Sequence, residues 1–165
     1  MTIVASPELV EWWTTPAGED LINAVSALSW TPADSLSSTA QLRRHYPDLT
    51  PEILNGTIDL VQARQRAVEK LGPASAHWFL TLAAVQQATP YAVTHYRSRR
   101  LLSSDSTIAQ PIHDATCSVG TEVAALVQAG STGELSGSDI DQARLAMARH
   151  NVPTVAFQEA DCLHP

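Results

Sequence analysis

Three short runs in the C-terminal part of the chain hold the side chains most capable of chemistry. The first is Asp114-Ala-Thr-Cys-Ser-Val-Gly120-Thr-Glu122, the second Gly137-Ser-Asp139-Ile140-Asp141, and the third Glu159-Ala-Asp161-Cys162. Asp139 lies 25 residues beyond Asp114. An acid about 20 residues beyond a glycine-containing strand-to-helix turn is placed to accept hydrogen bonds from ribose hydroxyls. Asp114 orders its turn or meets the cationic end of a ligand, and Gly120 lets a ligand approach the backbone closely. Asp161 suits an exocyclic adenine amine, with neighbouring backbone groups on the ring edge. Asp141 is better placed as the N-cap of the following helix. Each acid alone reads as a helix cap or a solvated loop residue. Three in order at the ends of three successive strands predict a nucleoside site.

Such a site needs strands that end on a common rim, and the sequence after Leu102 has that rhythm. Ser103 to Ser106 reads as a polar linker. Ile108–Asp114 then reads as a strand, 120–129 as a helix, 134–139 as a strand, 141–151 as a helix and 154–157 as a third strand. This β-α-β-α-β order is the pattern of a parallel sheet, although Pro111 weakens the first strand. The expected fold class is α/β: a helical region over residues 1–102, then a β-α-β-α-β parallel sheet over 103–165.

The first hundred residues read as helices. Ser6-Pro7, Thr31-Pro32, Thr50-Pro51 and Thr89-Pro90 each place a hydroxyl N-cap before a proline at the first helical position. Asp34 adds a carboxylate near the positive end of a helix dipole. Leu9, Trp12, Trp13, Leu21, Val25 and Leu28 share a broad face, with Gly18 as a weak point or a break. Leu54, Ile58, Val61, Val68 and Leu71 recur at helical spacing, and Gly72-Pro73 ends that helix. His77 to Leu80 reads either as a strand or as a turn packed on the core. The irregular Thr-Pro spacing excludes an internal repeat.

Composition bounds the rest. Of 165 residues, 44% are hydrophobic and 16% charged, as in an ordinary globular protein. The net charge of −7 argues against a generic basic nucleic-acid binder. Residues 1–105 hold 8 basic against 10 acidic side chains (−2), and residues 106–165 hold 2 against 7 (−5). A polyanion would therefore meet the first part, around Arg97, Arg99 and Arg100 or Arg43 and Arg44; a solvated helix face is the plainer reading of both clusters. No apolar run is long enough to span a bilayer, and the N-terminus lacks signal-peptide character, so a cytoplasmic location is expected. Cys117 and Cys162 lack metal-ligand spacing and read as two buried free thiols. No metal site is expected.

The runs DATCSVGTEVAAL, GSDIDQARLAMARHN and QEADCLHP resemble motifs I to III of class I S-adenosylmethionine (SAM) dependent methyltransferases. More narrowly, they are similar to trimethylguanosine synthase and to bacterial methyltransferases with a THUMP-like domain. The QQATP stretch, Gln86 to Pro90, and the following His95 strengthen the likeness. The resemblance implies that residues 103–165 are the first half of a Rossmann-like parallel sheet, and that SAM is the cofactor. Asp114 and Gly120 would contact its methionine part, Asp139 its ribose and Asp161 its adenine, with Cys117, Ile140, Cys162 and Thr89 completing the site. It further implies RNA as the acceptor, with a small-molecule acceptor left open; Arg97, Arg99 and Arg100 are the residues that would guide RNA. One departure stands out: Thr116, Cys117 and Ser118 occupy positions where the family commonly has glycine.

No Asp/Asn-Pro-Pro-aromatic motif occurs before Pro165, so no catalytic residue is assigned. The expectation is an N-terminal piece, truncated after the third strand and inactive alone, whose open sheet edge promotes self-association. The alternative is a helical interaction module with a degenerate, non-catalytic nucleotide-binding fold. A NAD-dependent dehydrogenase ranks last, because Gly-x-Gly-x-x-Gly is absent.

Overall fold

Proline sets where three of the α-helices begin. In the computed structural model, which describes residues 5–103 and 109–163, α1 (Pro7–Trp13), α2 (Pro16–Ser26) and α4 (Pro51–Leu71) each start on one. The hydroxyls of Ser6, Thr15 and Thr50 accept from the N–H groups of Leu9, Gly18 and Ile53. Such a cap contributes about 1 kcal/mol. The break between α1 and α2 falls at Thr14-Thr15 rather than at Gly18. Gly18 instead permits close packing, because a Cβ there would collide with the Trp12 carbonyl.

Two expected caps are corrected. The helix α3 (Ser35–His45) begins after a turn, not at Thr31-Pro32. There the Thr31 and Ser29 hydroxyls donate to the Asp34 carboxylate at 2.6 and 2.7 Å, so that carboxylate makes no cap to its own helix. Those two bonds hold the Asp34 pKa below its ordinary value. The helix α6 (Tyr91–Leu101) has Pro90, not Thr89, at its N-cap, with no side-chain cap bond. Between them, residues 73–77 form a 3-10 turn, Phe79 and Leu80 are buried in extended chain, and Thr81 caps the short α5 (Leu82–Gln87). The turn reading of residues 77–80 is the one that forms.

The helical core gathers Leu9, Trp13, Leu21, Val25, Leu54, Leu60, Phe79 and Leu80. Trp13 donates its buried indole N–H to the Thr57 hydroxyl at 3.0 Å. On α4 the buried line runs through Ala63 and Ala67, while Val68, expected on the inner face, is 41% exposed.

The rest of the chain follows the expected alternation: β1 (Ile112–Asp114), α7 (Thr121–Gln128), β2 (Leu135–Asp139), α8 (Gln142–Asn151) and β3 (Ala156–Glu159). The strands are parallel in the order β1-β2-β3, with Asp114 opposite Gly137 and Asp139 opposite Glu159. The first strand is short and begins after Pro111, which has no N–H for a ladder; its expected start at Ile108 lies outside the described residues, as do Ser104 to Ser106 of the linker. The third strand lies two residues later than the sequence predicts, because residues 152–155 close a turn, with the Val155 N–H donating to the Val152 carbonyl at 3.1 Å. One sheet face buries Cys117, Val123, Leu145, Ala148 and Phe157 with α7 and α8. Phe157 lies against Gly137, where a Cβ would stand 2.8 Å from its ring.

Asn151, the last residue of α8, joins the helical region to the sheet. Its side-chain oxygen accepts from the Phe79 N–H at 2.7 Å, and its amide donates to the carbonyls of Phe79 and Val119, both at 3.0 Å.

Candidate functional site

The turn after β1 is shaped by two residues with left-handed backbone. Gly120, at the N-cap of α7, has φ of 86°, and Ser118 has φ of 50°. Serine adopts that region only at a cost, and here local hydrogen bonds hold it. The Ser118 N–H donates to Asp139 Oδ2 at 2.9 Å, and the Cys117 N–H donates to the Ser138 carbonyl at 2.9 Å. Asp114 Oδ1 accepts from the Thr116 N–H at 3.2 Å. The turn is thus clamped between the carboxylates that end β1 and β2.

Against this turn lies a cavity of about 530 Å³. One wall is β1, the turn and α7, contributed by Asp114, Thr116, Cys117, Ser118, Thr121 and Glu122; the other is Gln87, Ala88 and Thr89 with Arg97, Ser98 and Leu101 of α6. Two arginines cross between the walls. Arg97 pairs with Glu122 at 2.9 Å, and Arg144 reaches Gln87 Oε1 at 3.1 Å while lying 3.5 Å from Asp141. The QQATP segment therefore stands over the first strand-to-helix turn.

Charge in the cavity is mixed, Asp114 and Glu122 standing against Arg97 and Arg144. Burial raises the pKa of Asp114, and the nearby charges of Glu122 and Asp139 add to the effect. Burial also pushes the Cys117 thiol up to about 12, so it is protonated near neutral pH and is no nucleophile. A cationic ligand group beside Asp114 would favour its ionised form.

The expected site residues divide into three groups. Asp114, Cys117 and Thr89 line the cavity. Asp139 and Gly120 shape the turn from behind rather than lining it. Ile140, 68% exposed, Asp161 and Cys162, which is exposed rather than buried as expected because it follows the end of β3, stand farther along the rim, beyond the ends of β2 and β3. They are tied to it through Ala160, whose N–H donates to the Asp139 carbonyl at 3.2 Å. Asp141 caps α8 as expected, accepting from the Ala143 and Arg144 N–H groups at 2.9 and 3.1 Å.

Sequence reasoning missed Arg144, Asn151 and Gln87. Arg144 carried a faint signal, three residues after an acidic N-cap, but its reach to Gln87 spans 57 residues and has no local signature. His95, singled out by the resemblance, packs its ring 4.0 Å from that of Tyr91; its Nδ1 is buried without a hydrogen-bond partner among the described residues.

This chain is similar to two proteins from two strains of Mycobacterium tuberculosis, each named an uncharacterized S-adenosylmethionine-dependent methyltransferase. In both cases the identity is 39% over 133 residues, covering 75% of this chain and 34% of the relative. The chain therefore spans about a third of the length of the curated relatives it matches. No family model matches, and no solved structure matches at a significant level.

Proposed function

We propose that this chain forms the cofactor-binding part of an S-adenosylmethionine-dependent methyltransferase with a Rossmann-like sheet, and that RNA is the methyl acceptor. The observation that carries the cofactor reading is the single turn gripped by Asp114 and Asp139, the acids ending two adjacent parallel strands, beside a cavity. The names of the similar proteins point to the same cofactor.

The residues present suit that group. SAM carries a cationic ammonium and a cationic sulfonium; Asp114 lines the cavity and Asp139 adds negative charge from behind the turn, while Glu122 is paired with Arg97. Each Asp139 oxygen accepts one backbone N–H, from Ser118 and Asp141, which leaves lone pairs for ribose hydroxyls. Asp114 and the turn would hold the methionine part, Asp139 the ribose, and Ile140 with Asp161 and Cys162 the adenine. When bound, SAM supplies an electrophilic methyl group. The protein's own contribution is alignment and exclusion of water, with Thr89 and Gln87 closing the cavity from above.

Calorimetric titration of the full-length protein with SAM and S-adenosylhomocysteine tests this. Both should bind, and Asp139→Asn should weaken both by about tenfold or more, as expected for loss of a charged hydrogen-bond acceptor. Absence of binding to the wild-type protein would overturn the reading and favour the helical interaction module.

The RNA reading rests on the resemblance and on the exposed Arg99 and Arg100, since Arg97 is engaged by Glu122. Replacing Arg99 and Arg100 by Ala should lower RNA affinity and reduce its salt slope by about 2. Unchanged affinity and slope would leave a small-molecule acceptor as the better reading.

A further inference from the structure

A second cavity, of about 400 Å³, opens where α1, α2 and α4 meet the 3-10 turn and the end of α8. It shares no lining residue with the first and does not rest on the cofactor reading. Its most unusual wall residue is Arg64, half-buried on α4. The Arg64 Nε donates to the Trp78 carbonyl at 2.8 Å, one terminal nitrogen donates to the His77 carbonyl at 3.0 Å, and the guanidinium lies 5.5 Å over the Phe79 ring. Among the described residues no carboxylate forms an ion pair with it. The carbonyls orient the guanidinium without neutralising it, and burial lowers its pKa to about 10. A half-buried cation without a counter-charge is costly, and an entering anion relieves that cost.

The second feature is a stacking platform. His150 lies flat on Phe79, with ring centroids 3.6 Å apart and planes within 6°. Phe79 is buried, whereas His150 is exposed and lines the cavity, so the stacked pair meets the cavity through the imidazole. The guanidinium fork matches phosphate oxygens, planar rings stack on such platforms, and the volume lies within the range of small-ligand sites.

We propose that this cavity binds a nucleotide, its phosphate against Arg64 and its base on the imidazole of His150. The nucleotide is either free or one residue of a strand. Glu19, an exposed acid in the same wall, opposes the phosphate and so supplies a test by sign.

The full-length protein is titrated calorimetrically with GMP, UMP, inorganic phosphate and a short single-stranded RNA. The mononucleotides should bind more tightly than inorganic phosphate. Arg64→Met should weaken them by about tenfold or more, and Glu19→Gln should tighten them by about two- to fivefold. His150→Ala should erase the preference over inorganic phosphate while leaving SAM affinity unchanged. RNA binding more tightly than GMP, with the same response to these variants, identifies the ligand as a residue of a strand; RNA binding no more tightly identifies a free nucleotide. Nucleotides that fail to bind, or bind no better than inorganic phosphate, overturn the proposal. So does nucleotide binding indifferent to Glu19→Gln and His150→Ala. Should Arg64→Met fail to fold, those two exposed positions decide alone.

Discussion

Asp114 is held at a cost that its proposed ligand would remove. Its folded pKa is raised, by burial first and then by the charges of Glu122 and Asp139. Folding therefore favours the protonated acid, and stability contributed by that proton is lost as pH rises above the ordinary value of 3.8. Asp114→Asn keeps an acceptor for the Thr116 N–H and removes the charge. The variant should be more stable than wild type near neutral pH, the difference vanishing below the ordinary carboxylate range, while its SAM affinity falls. Urea unfolding across pH checks the first outcome and calorimetry the second; a variant less stable than wild type at pH 7 would contradict the assignment. The acids themselves were legible in the sequence, because strand-end carboxylates come at a recognisable spacing. The state of the turn was not. Ser118 takes the left-handed backbone that glycine would take without strain, and the Asp139 carboxylate that holds its N–H lies 21 residues away in the sequence.

At the scale of elements, local signals worked where the cap and the helix are neighbours in sequence. Ser6, Thr50 and Asp141 cap as their types and the following residues predict. They failed where a nearby group competed. The Thr31 hydroxyl accepts the Asp34 N–H at 3.3 Å as a cap would, but it also donates to the Asp34 carboxylate and the chain makes a turn before α3 begins; Thr89 faces the cavity rather than the first turn of α6. Asn151 is the most consequential contact that no pattern announced, because its three hydrogen bonds go to Phe79 and Val119, 72 and 32 residues away. It holds the helical core against the turn that shapes the proposed cofactor site. Asn151→Leu leaves two carbonyls and one N–H without partners in a half-buried junction. Each such group costs about 1–3 kcal/mol, so a loss of about 3 kcal/mol is expected after solvent relaxation. Chemical denaturation measures it. A loss below about 1 kcal/mol would mean that water replaces those bonds and that the junction is held by α1 packing on α8 instead.

At the scale of the whole molecule, the alternation of strand and helix was plain in the sequence, whereas the limits of β1 and β3 were not, since edge strands this short carry little periodicity. Among the described residues the sheet order places β1 at an edge, with β2 beside it. Ile112 donates its N–H to the Glu134 carbonyl at 2.9 Å, so the alternation of a parallel strand turns the N–H and carbonyl of His113 outward. The His113 side chain, by contrast, bonds inward to Ser136 and Ser138 at 2.9 and 3.0 Å. We propose that the 165-residue chain, prepared alone, pairs with a second copy along this edge, with brevity and the preceding Pro111 keeping the association weak. Sedimentation should then show a mass rising with concentration above the 17.7 kDa of one chain. His113→Pro removes the outward donor but spares the β1–β2 ladder, and it should return the mass to that of one chain. His113→Ala, which loses only the inward side-chain bonds, should still associate. A wild-type chain that stays at one-chain mass at high concentration, or a proline variant that associates as readily, would show that the free edge of β1 attracts no partner.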